Sequence, residues 1–432
     1  MTMKVLSAIV LLVLSGCAVR GSNVVNISTA EDLIEYSKDV KTSFNLGATV
    51  YLLNDIDFAG LSDLLQPIGD SSNLCFCGNF DGQGHTISNL ITQNGLFGYI
   101  CGGTVRNVIM DRSCVVTEVT AVGKDNDNYD KRRIVGGIIN YAESRYVKSL
   151  VENNIFMGKI YFYNMFRENK EALIGGIIGH SSTYHSGLTV RNCASYAAIL
   201  LSESTETVTI GGLIGRTASL YNDSQIVMHN CLNYGTITRS GATTDGMKIG
   251  GIIGEHISGA IVLDNLINVG TISIGSKASG NLENYIGSIA GCLSEASLTH
   301  SYWVGGSYDA VGHGGSVVES SCFDRKAFTL EKAVKVGNYT GVSLIDALNA
   351  DVDMYSSSSS SKWILNRNSN AISFVVNNEK PFFKIDSQIV LMPGIADGVE
   401  KKFYGWFVDS YYTEPLAKFE VDTDTILYGM FV

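Results

Sequence analysis

Two apolar patterns alternate along the chain, and both return at a steady interval. The first reads Ile134-Val135-Gly136-Gly137-Ile138-Ile139, then Ile174-Gly175-Gly176-Ile177-Ile178-Gly179, Ile210-Gly211-Gly212-Leu213-Ile214-Gly215 and Ile249-Gly250-Gly251-Ile252-Ile253-Gly254. A looser copy is Ile286-Gly287-Ser288-Ile289-Ala290-Gly291, and Gly95-Leu96-Phe97-Gly98 is a shorter forerunner. First glycines at 95, 136, 175, 211, 250 and 287 give steps of 41, 39, 36, 39 and 37 residues. A period of about 20–50 residues marks an array of stacked units, none of which buries its apolar face alone.

The second pattern places asparagine in a fixed setting. Val105-Arg106-Asn107-Val108 aligns with Val190-Arg191-Asn192-Cys193, with Met228-His229-Asn230-Cys231 and with Leu263-Asp264-Asn265-Leu266. The later copies run on through Asn233-Tyr234-Gly235-Thr236-Ile237 and Asn268-Val269-Gly270-Thr271-Ile272. Val147-Lys148-Ser149 and Leu298-Thr299-His300-Ser301 read as degenerate copies. Each unit is thus a glycine-rich strand, an asparagine strand, an Asn-x-Gly turn and a Thr-Ile strand. Three strands and three corners predict one coil of an all-β, right-handed parallel β-helix over residues 45–325. Asparagine tolerates the left-handed conformation a corner needs, and Asn192, Asn230 and Asn265 are placed to bond from rung to rung. A β-propeller would need four antiparallel strands per blade and hairpin turns, which the pattern lacks.

The flanks lose this period. Ser28-Thr29-Ala30-Glu31 is a capping-box pattern that predicts a helix over 29–39, within a cap at 28–44 that covers the first rung. Residues 326–383 read as a second cap, with a helix opening at Ser343, a serine run at 356–361 and strands at 363–365 and 372–376. Three of the four prolines, Pro381, Pro393 and Pro415, fall near the end, so residues 384–432 form a separate module. At the other end Lys4 precedes an apolar run from Val5 to Leu14 and the small residues Ser15-Gly16-Cys17-Ala18. This predicts a secretory signal over 1–17, too short to span a membrane.

Composition narrows the partners. With 45% apolar residues the chain is not disordered. A net charge of −11 argues against nucleic acid. Eight cysteines remain beyond Cys17. Cys193 and Cys231 share one repeat position, and parallel thiols in a buried stack are expected there rather than a bridge. Cys75-Phe76-Cys77 has neither redox CxxC spacing nor a second pair for zinc.

Three resemblances follow from these motifs. Leu14-Ser15-Gly16-Cys17 resembles the bacterial lipobox, which implies lipidation at Cys17 and a membrane anchor in a bacterial source. In a eukaryotic source Asn26, Asn222 and Asn338 are the N-glycan acceptors. The glycine phrases, with Asn79-Phe80-Asp81-Gly82-Gln83-Gly84-His85-Thr86-Ile87 before them, resemble GLUG motifs, repeats of large bacterial and protist surface proteins that occur also in non-catalytic regions of IgA peptidases. Phe403-Tyr404-Gly405-Trp406-Phe407 and Leu427-Tyr428-Gly429-Met430-Phe431 resemble the internalin-type B repeat, a small β-grasp-like cell-surface module. These resemblances imply a scaffold or binding surface, not a reaction.

Candidate chemistry is thin. His85 follows a tight turn and reads as structural. Polygalacturonase-like hydrolysis would need paired carboxylates on neighbouring rungs. Of that family's motifs only Gly312-His313-Gly314 is present. Asp125, Asp127 and Asp130 carry oxygens that suit calcium, but the glycine and glutamate of an EF-hand are missing. The sequence therefore predicts no catalytic residue and no cofactor. It predicts an extracellular or cell-surface, adhesin-like protein that binds protein or glycan through loops at 121–133, 165–172, 201–208, 239–247 and 275–284. A carbohydrate-active β-helix enzyme and a structural stalk are the alternatives.

Overall fold

The computed structural model describes residues 24–42, 47–61, 65–117, 132–162, 171–201, 207–239, 246–268, 270–274, 284–299, 301–304 and 308–317. It also describes short strands at 323–325, 334–336, 339–342, 363–365, 372–376, 383–385, 389–391, 403–407 and 425–431. The predicted signal with Cys17, the aspartates at 125, 127 and 130, Asn338 and the helix opening at Ser343 lie outside these residues, as does most of each predicted binding loop.

The described residues between 24 and 325 form an all-β solenoid in which the strands of successive rungs pair in parallel. The repeat glycines stand beside one another: Gly136 pairs Gly175, Gly175 pairs Gly211, Gly211 pairs Gly250 and Gly250 pairs Gly287. The sequence period is therefore the rung. The first step differs by one, because Phe97 pairs Ile139 and so sets Gly95 beside Gly137, not Gly136.

A single coil shows how the sequence makes the cross-section. Glu171–Gly175 belongs to a five-stranded sheet of glycine strands, and the chain turns at Gly176-Ile177 into Ile178–Thr183. It turns again into Leu188–Arg191, bends at Asn192 into Ala194–Ser195, and reaches Ala198–Leu201 in a six-stranded sheet of Thr-Ile strands. Five short strands thus stand where three were predicted. The extra corners follow from side chains that alternate in and out only over short runs. Inward positions stack like on like: Val105, Val151, Val190, Met228, Leu263 and Leu298 form one file, fully buried.

The two corner types have different causes. At the glycine corner two backbones touch. A Cβ on Gly211 would lie 1.8 Å from the Ile214 carbonyl oxygen, and on Gly175 1.9 Å from that of Ile178. At the other corner Asn107, Asn153, Asn192, Asn230 and Asn265 all have φ between 49° and 55°. Their amides bond along the stack: Asn153 donates to Asn107 at 3.2 Å, Asn230 to Asn192 at 2.9 Å and Asn265 to Asn230 at 2.9 Å. The ladder is interrupted once, where Asn153 Oδ1 and Asn192 Nδ2 stay unbonded. A second ladder runs at the Asn-x-Gly turns, where Asn233 donates to Asn268 at 2.9 Å while its own Oδ1 accepts from Gly235 N–H.

Several details depart from the sequence reading. The asparagine copy in the second full rung is Val151-Glu152-Asn153, not Val147-Lys148-Ser149, since Val151 pairs both Val105 and Val190. The first rung begins at Val24–Ile27, which pairs Thr49–Leu52 ahead of position 45. Helix α1 spans Ala30–Thr42 and buries Leu33, Ile34, Tyr36 and Val40. Its cap is Thr29, whose Oγ1 accepts from Asp32 N–H while Asp32 accepts from the Ser28 and Thr29 N–H groups, so the capping box sits one residue later. Near the C-terminus Ile372–Val376 pairs in parallel with Thr425–Phe431 and antiparallel with Phe383–Ile385, and Phe403–Phe407 completes this sheet. The boundary drawn at 383 therefore runs through one sheet.

The asparagine ladder yields a graded expectation. Asn230→Gly keeps the left-handed corner but loses both amide bonds, about 2 kcal/mol in all. Asn230→Ala also forces a Cβ into that conformation, a further 1–2 kcal/mol or so. Thermal or urea unfolding should rank wild type above Asn230→Gly and that above Asn230→Ala; the reverse order of the two variants would contradict this account of the corner.

Candidate functional site

Outward-facing side chains also stack in files, so each rung position extends into a surface stripe. One file follows the glycine corner: Tyr99, Tyr141, His180, Arg216, Glu255, Cys292 and His313 stand in register. Beside it runs Ile134, Leu173, Thr209, Lys248 and Tyr285 from the glycine strands. The two files close on each other and form a seam. Tyr99 stacks on Tyr141 with ring centroids 4.6 Å apart, and Tyr285 stacks on His313 at 4.2 Å.

The seam is ionic in its middle. Arg216 is buried and meets Glu171 on one side and Glu255 on the other, with its Nε 2.7 Å from Glu255. Lys248 also contacts Glu255. Burial pulls the Arg216 guanidinium down, but Glu171 and Glu255 more than offset it and hold it above its ordinary value. Tyr99 donates to Glu143, which pairs with Arg145 at 2.7 Å, and burial raises the Tyr99 phenol well above its usual range. A second file, after the next turn, carries Asp81, Arg106, Glu152, Arg191, His229, Asp264 and Thr299. There Arg106 meets Asp81 at 2.9 Å and Arg191 meets Glu152 at 2.9 Å, the latter pair almost fully buried. Asp81, Glu143, Glu152, Glu171 and Glu255 each meet a cation, which engages their lone pairs. A general acid needs a carboxyl free to present its proton to a substrate.

A third stripe is exposed. The turn between the two files lies at 145–148, 184–187, 220–224 and 257–259 on successive rungs, and it presents an aromatic strip. Tyr146 stacks on His185 (5.8 Å, 14° between planes), and His185 lies 4.3 Å from Tyr221. Tyr184 adds a further ring 6.1 Å from Tyr221, with the Arg145 guanidinium over the Tyr184 ring at 5.0 Å. Tyr146 is 47% and Tyr221 50% exposed, and Val147, Leu220 and Ile257 extend the apolar surface. The turns are held by backbone bonds between rungs, from Tyr184 N–H to Ser144, His185 N–H to Arg145, and Leu220 N–H to Thr183. His185 also meets Asp223 at 3.1 Å. Four rungs at about 4.8 Å each give the strip a length of about 15 Å.

The residues singled out from the sequence are scattered. His85 pairs with exposed Asp55 at 3.3 Å, a partner supplied by the preceding rung. His313 is exposed at the far end of the seam, stacked on Tyr285. Asn26 and Asn222 are exposed, Asn222 within the aromatic turn. Cys193 and Cys231 are buried thiols on adjacent rungs. Cys75 does bridge, to Cys101; its partner comes from the next rung, beyond the reach of local spacing. The strands that flank the five predicted binding loops run from the Thr-Ile sheet to the glycine sheet in every case, so all five leave from one edge. The local motifs do not reveal the aromatic strip, but the repeat register does: Tyr146 and His185 each stand seven residues before the corner asparagine of their rung.

Two measurements test this division. Arg216→Met leaves half-buried Glu171 without its cation and buried Glu255 with Lys248 alone, and should destabilise the fold by about 2 kcal/mol, less than the loss of a fully buried pair, read as a lowered unfolding temperature. His256 is buried, accepting from Thr217 Oγ1 at 2.8 Å and donating to the Gly259 carbonyl at 3.1 Å. Burial pushes its pKa below the ordinary value despite Glu255 and these bonds. The unfolded chain therefore takes up a proton below about pH 6.5 that the folded chain refuses. Stability should be full above that pH and decline as pH falls through it, and His256→Asn should flatten this slope in unfolding curves recorded between pH 7.5 and 5.

No protein-family profile matches the chain, and no solved structure matches it. Over 179 residues, 40% of the chain, it is 29% identical to Halomucin from Haloquadratum walsbyi, of which the matched stretch is 2%.

Proposed function

We propose that this is an exported, non-catalytic β-helical binding protein that takes a glycan chain along the aromatic strip. One observation carries the reading: Tyr146, His185 and Tyr221 form a continuous, solvent-facing ring stack on turns fixed by backbone bonds. An exposed apolar patch on a rigid frame is a surface for recognition. Flat tyrosine rings offer large contact area with few torsions to freeze. The faces of pyranose rings carry C–H groups that pack on such rings, and Arg145, Asp223 and Asn222 stand beside them for hydroxyl groups. The ion-paired seam supports binding over catalysis, since its carboxylates are already engaged. The likeness to a stretch of Halomucin, named as a mucin, supports a place outside the cell. Lipidation at Cys17 would then hold the solenoid at the membrane in a bacterial source, and the loops at the far edge would be free to vary.

Screening the full chain on a glycan array, followed by titration of the best ligand, tests this. Tyr146→Ala/Tyr221→Ala should weaken binding at least about tenfold. Both side chains are exposed, so the unfolding temperature should stay within the range of ordinary surface changes, about 0.5 kcal/mol. Unchanged affinity in the double variant would remove the strip from the reading. Retention of protein ligands but no glycan would replace the ligand class.

A further inference from the structure

Three cysteines meet where the solenoid begins. Cys75 and Cys77 flank Phe76 on one rung, and Cys101 ends the strand Phe97–Cys101 on the next. Phe76 pairs in parallel with Ile100, so Cys77 stands beside Cys101 and Cys75 one diagonal away. Backbone bonds fix this register, from Phe76 N–H to Tyr99 at 2.9 Å and from Cys101 N–H to Phe76 at 3.0 Å. Phe76 points into the core against Phe97, with ring centroids 5.3 Å apart. Its two neighbours therefore project to the opposite side, together. Cys75 and Cys101 form a disulfide with Cα atoms 5.8 Å apart. The Cys77 thiol sulfur lies 2.8 Å from Cys101 Sγ and 3.4 Å from Cys75 Sγ.

We propose that Cys75, Cys77 and Cys101 form a thiol–disulfide exchange centre, in which the bridge moves between Cys75–Cys101 and Cys77–Cys101. A disulfide spans Cα separations of about 4.4–6.8 Å. Cys75 satisfies this by measurement, and Cys77 by its place as rung neighbour, about 4.8 Å from Cys101. In the exchange the Cys77 thiolate attacks Cys101 Sγ, a Cys77–Cys101 bond forms, and the Cys75–Cys101 bond breaks. Cys75 leaves as a thiolate and takes up the proton that Cys77 gave. One disulfide and one thiol are present before and after, so no oxidant or reductant enters. The attack requires rotation of side chains only, because the backbone already sets both partners in range.

Burial separates these sulfurs from Cys114, Cys193 and Cys231, and distance along the solenoid separates them from half-buried Cys292, whose thiol is raised by burial and by Glu255. Cys75 and Cys77 are half-buried, within reach of water. Cys114 and Cys231 are buried, and burial pushes Cys114 up to about 12 and raises Cys231 as well. Thiols held protonated are poor nucleophiles. Exchange is thereby confined to one cluster, and the two rungs remain tied by whichever bridge is present. What changes is which sulfur, 75 or 77, is presented as a thiol.

The test is disulfide mapping of the full chain. Samples oxidised quickly and slowly are held at pH 8, quenched in acid, alkylated, digested with pepsin at low pH and sequenced by tandem mass spectrometry. Both linkages should be found, with the complementary cysteine alkylated, and the two samples should converge on one ratio. Samples alkylated before the incubation should keep their starting ratios. Cys75→Ser should close Cys77–Cys101, and Cys77→Ser should close Cys75–Cys101. A single linkage with Cys77 alkylated in every wild-type molecule would overturn the proposal. So would failure of Cys75→Ser to form a bridge, ratios that never converge, or three thiols around a bound metal ion.

Discussion

The glycine corners leave no room for a side chain. At the glycine corners from Gly136 to Gly287 the incoming strand turns within three residues, and a Cβ there would lie 1.8–2.0 Å from a carbonyl oxygen. Stacked coils repeat that contact at every rung, so the sequence has no freedom there. Everything else is set by where this corner leaves the chain. It fixes the first strand of the coil against the second, brings two files of outward side chains into a seam, and hands the chain to the next turn at the same angle each time.

Stacking imposes a second rule, on charge. In a parallel ladder each outward residue has its own counterpart above and below, so a repeated charge would face itself. The files instead change sign or type from rung to rung. Glu152 is followed by Arg191, and Arg216 is flanked by Glu255 in its own file and Glu171 in the adjoining strand. Asparagine escapes the rule because its amide both donates and accepts, which lets Asn230 repeat unchanged between Asn192 and Asn265. The single break, between Asn153 and Asn192, lies on the same rungs as the buried Glu152–Arg191 pair.

The same two rules explain what could be read in advance. Glycine at the corner and asparagine in the left-handed position are nearly forced by geometry, so their period revealed the array, its parallel sense and its asparagine ladder. Register at the ends is less legible: Gly95 matches either glycine of the next doublet in sequence and stands beside Gly137, since a lone glycine does not say which member of a doublet it copies. Val151-Glu152-Asn153 hides its place in the repeat because glutamate replaces the arginine of the neighbouring copies, a change the charge rule demands. The ion pairs, the His85–Asp55 contact and the three-sulfur cluster join residues on different rungs, and no local spacing encodes them. The aromatic strip was within reach once the turns had been aligned on the corner asparagine.

Where, then, does a scaffold so constrained have room for function? The corners admit one residue type, the inward files admit only apolar groups of fitting size, and the seam answers each charge with another. Turns between strands carry fewer of these obligations, because Tyr146, His185 and Tyr221 face water there and the backbone is held by bonds to neighbouring rungs. Tyr146, His185 and Tyr221 occupy such turns, and nothing in the packing requires rings there. Their spacing is nevertheless inherited from the solenoid. Rings carried on consecutive rungs recur at about the 4.8 Å strand interval, so a ligand matched to them must itself be a chain of flat or ring-shaped units with a comparable repeat. The aromatic strip is thus periodic for the same reason that the fold is.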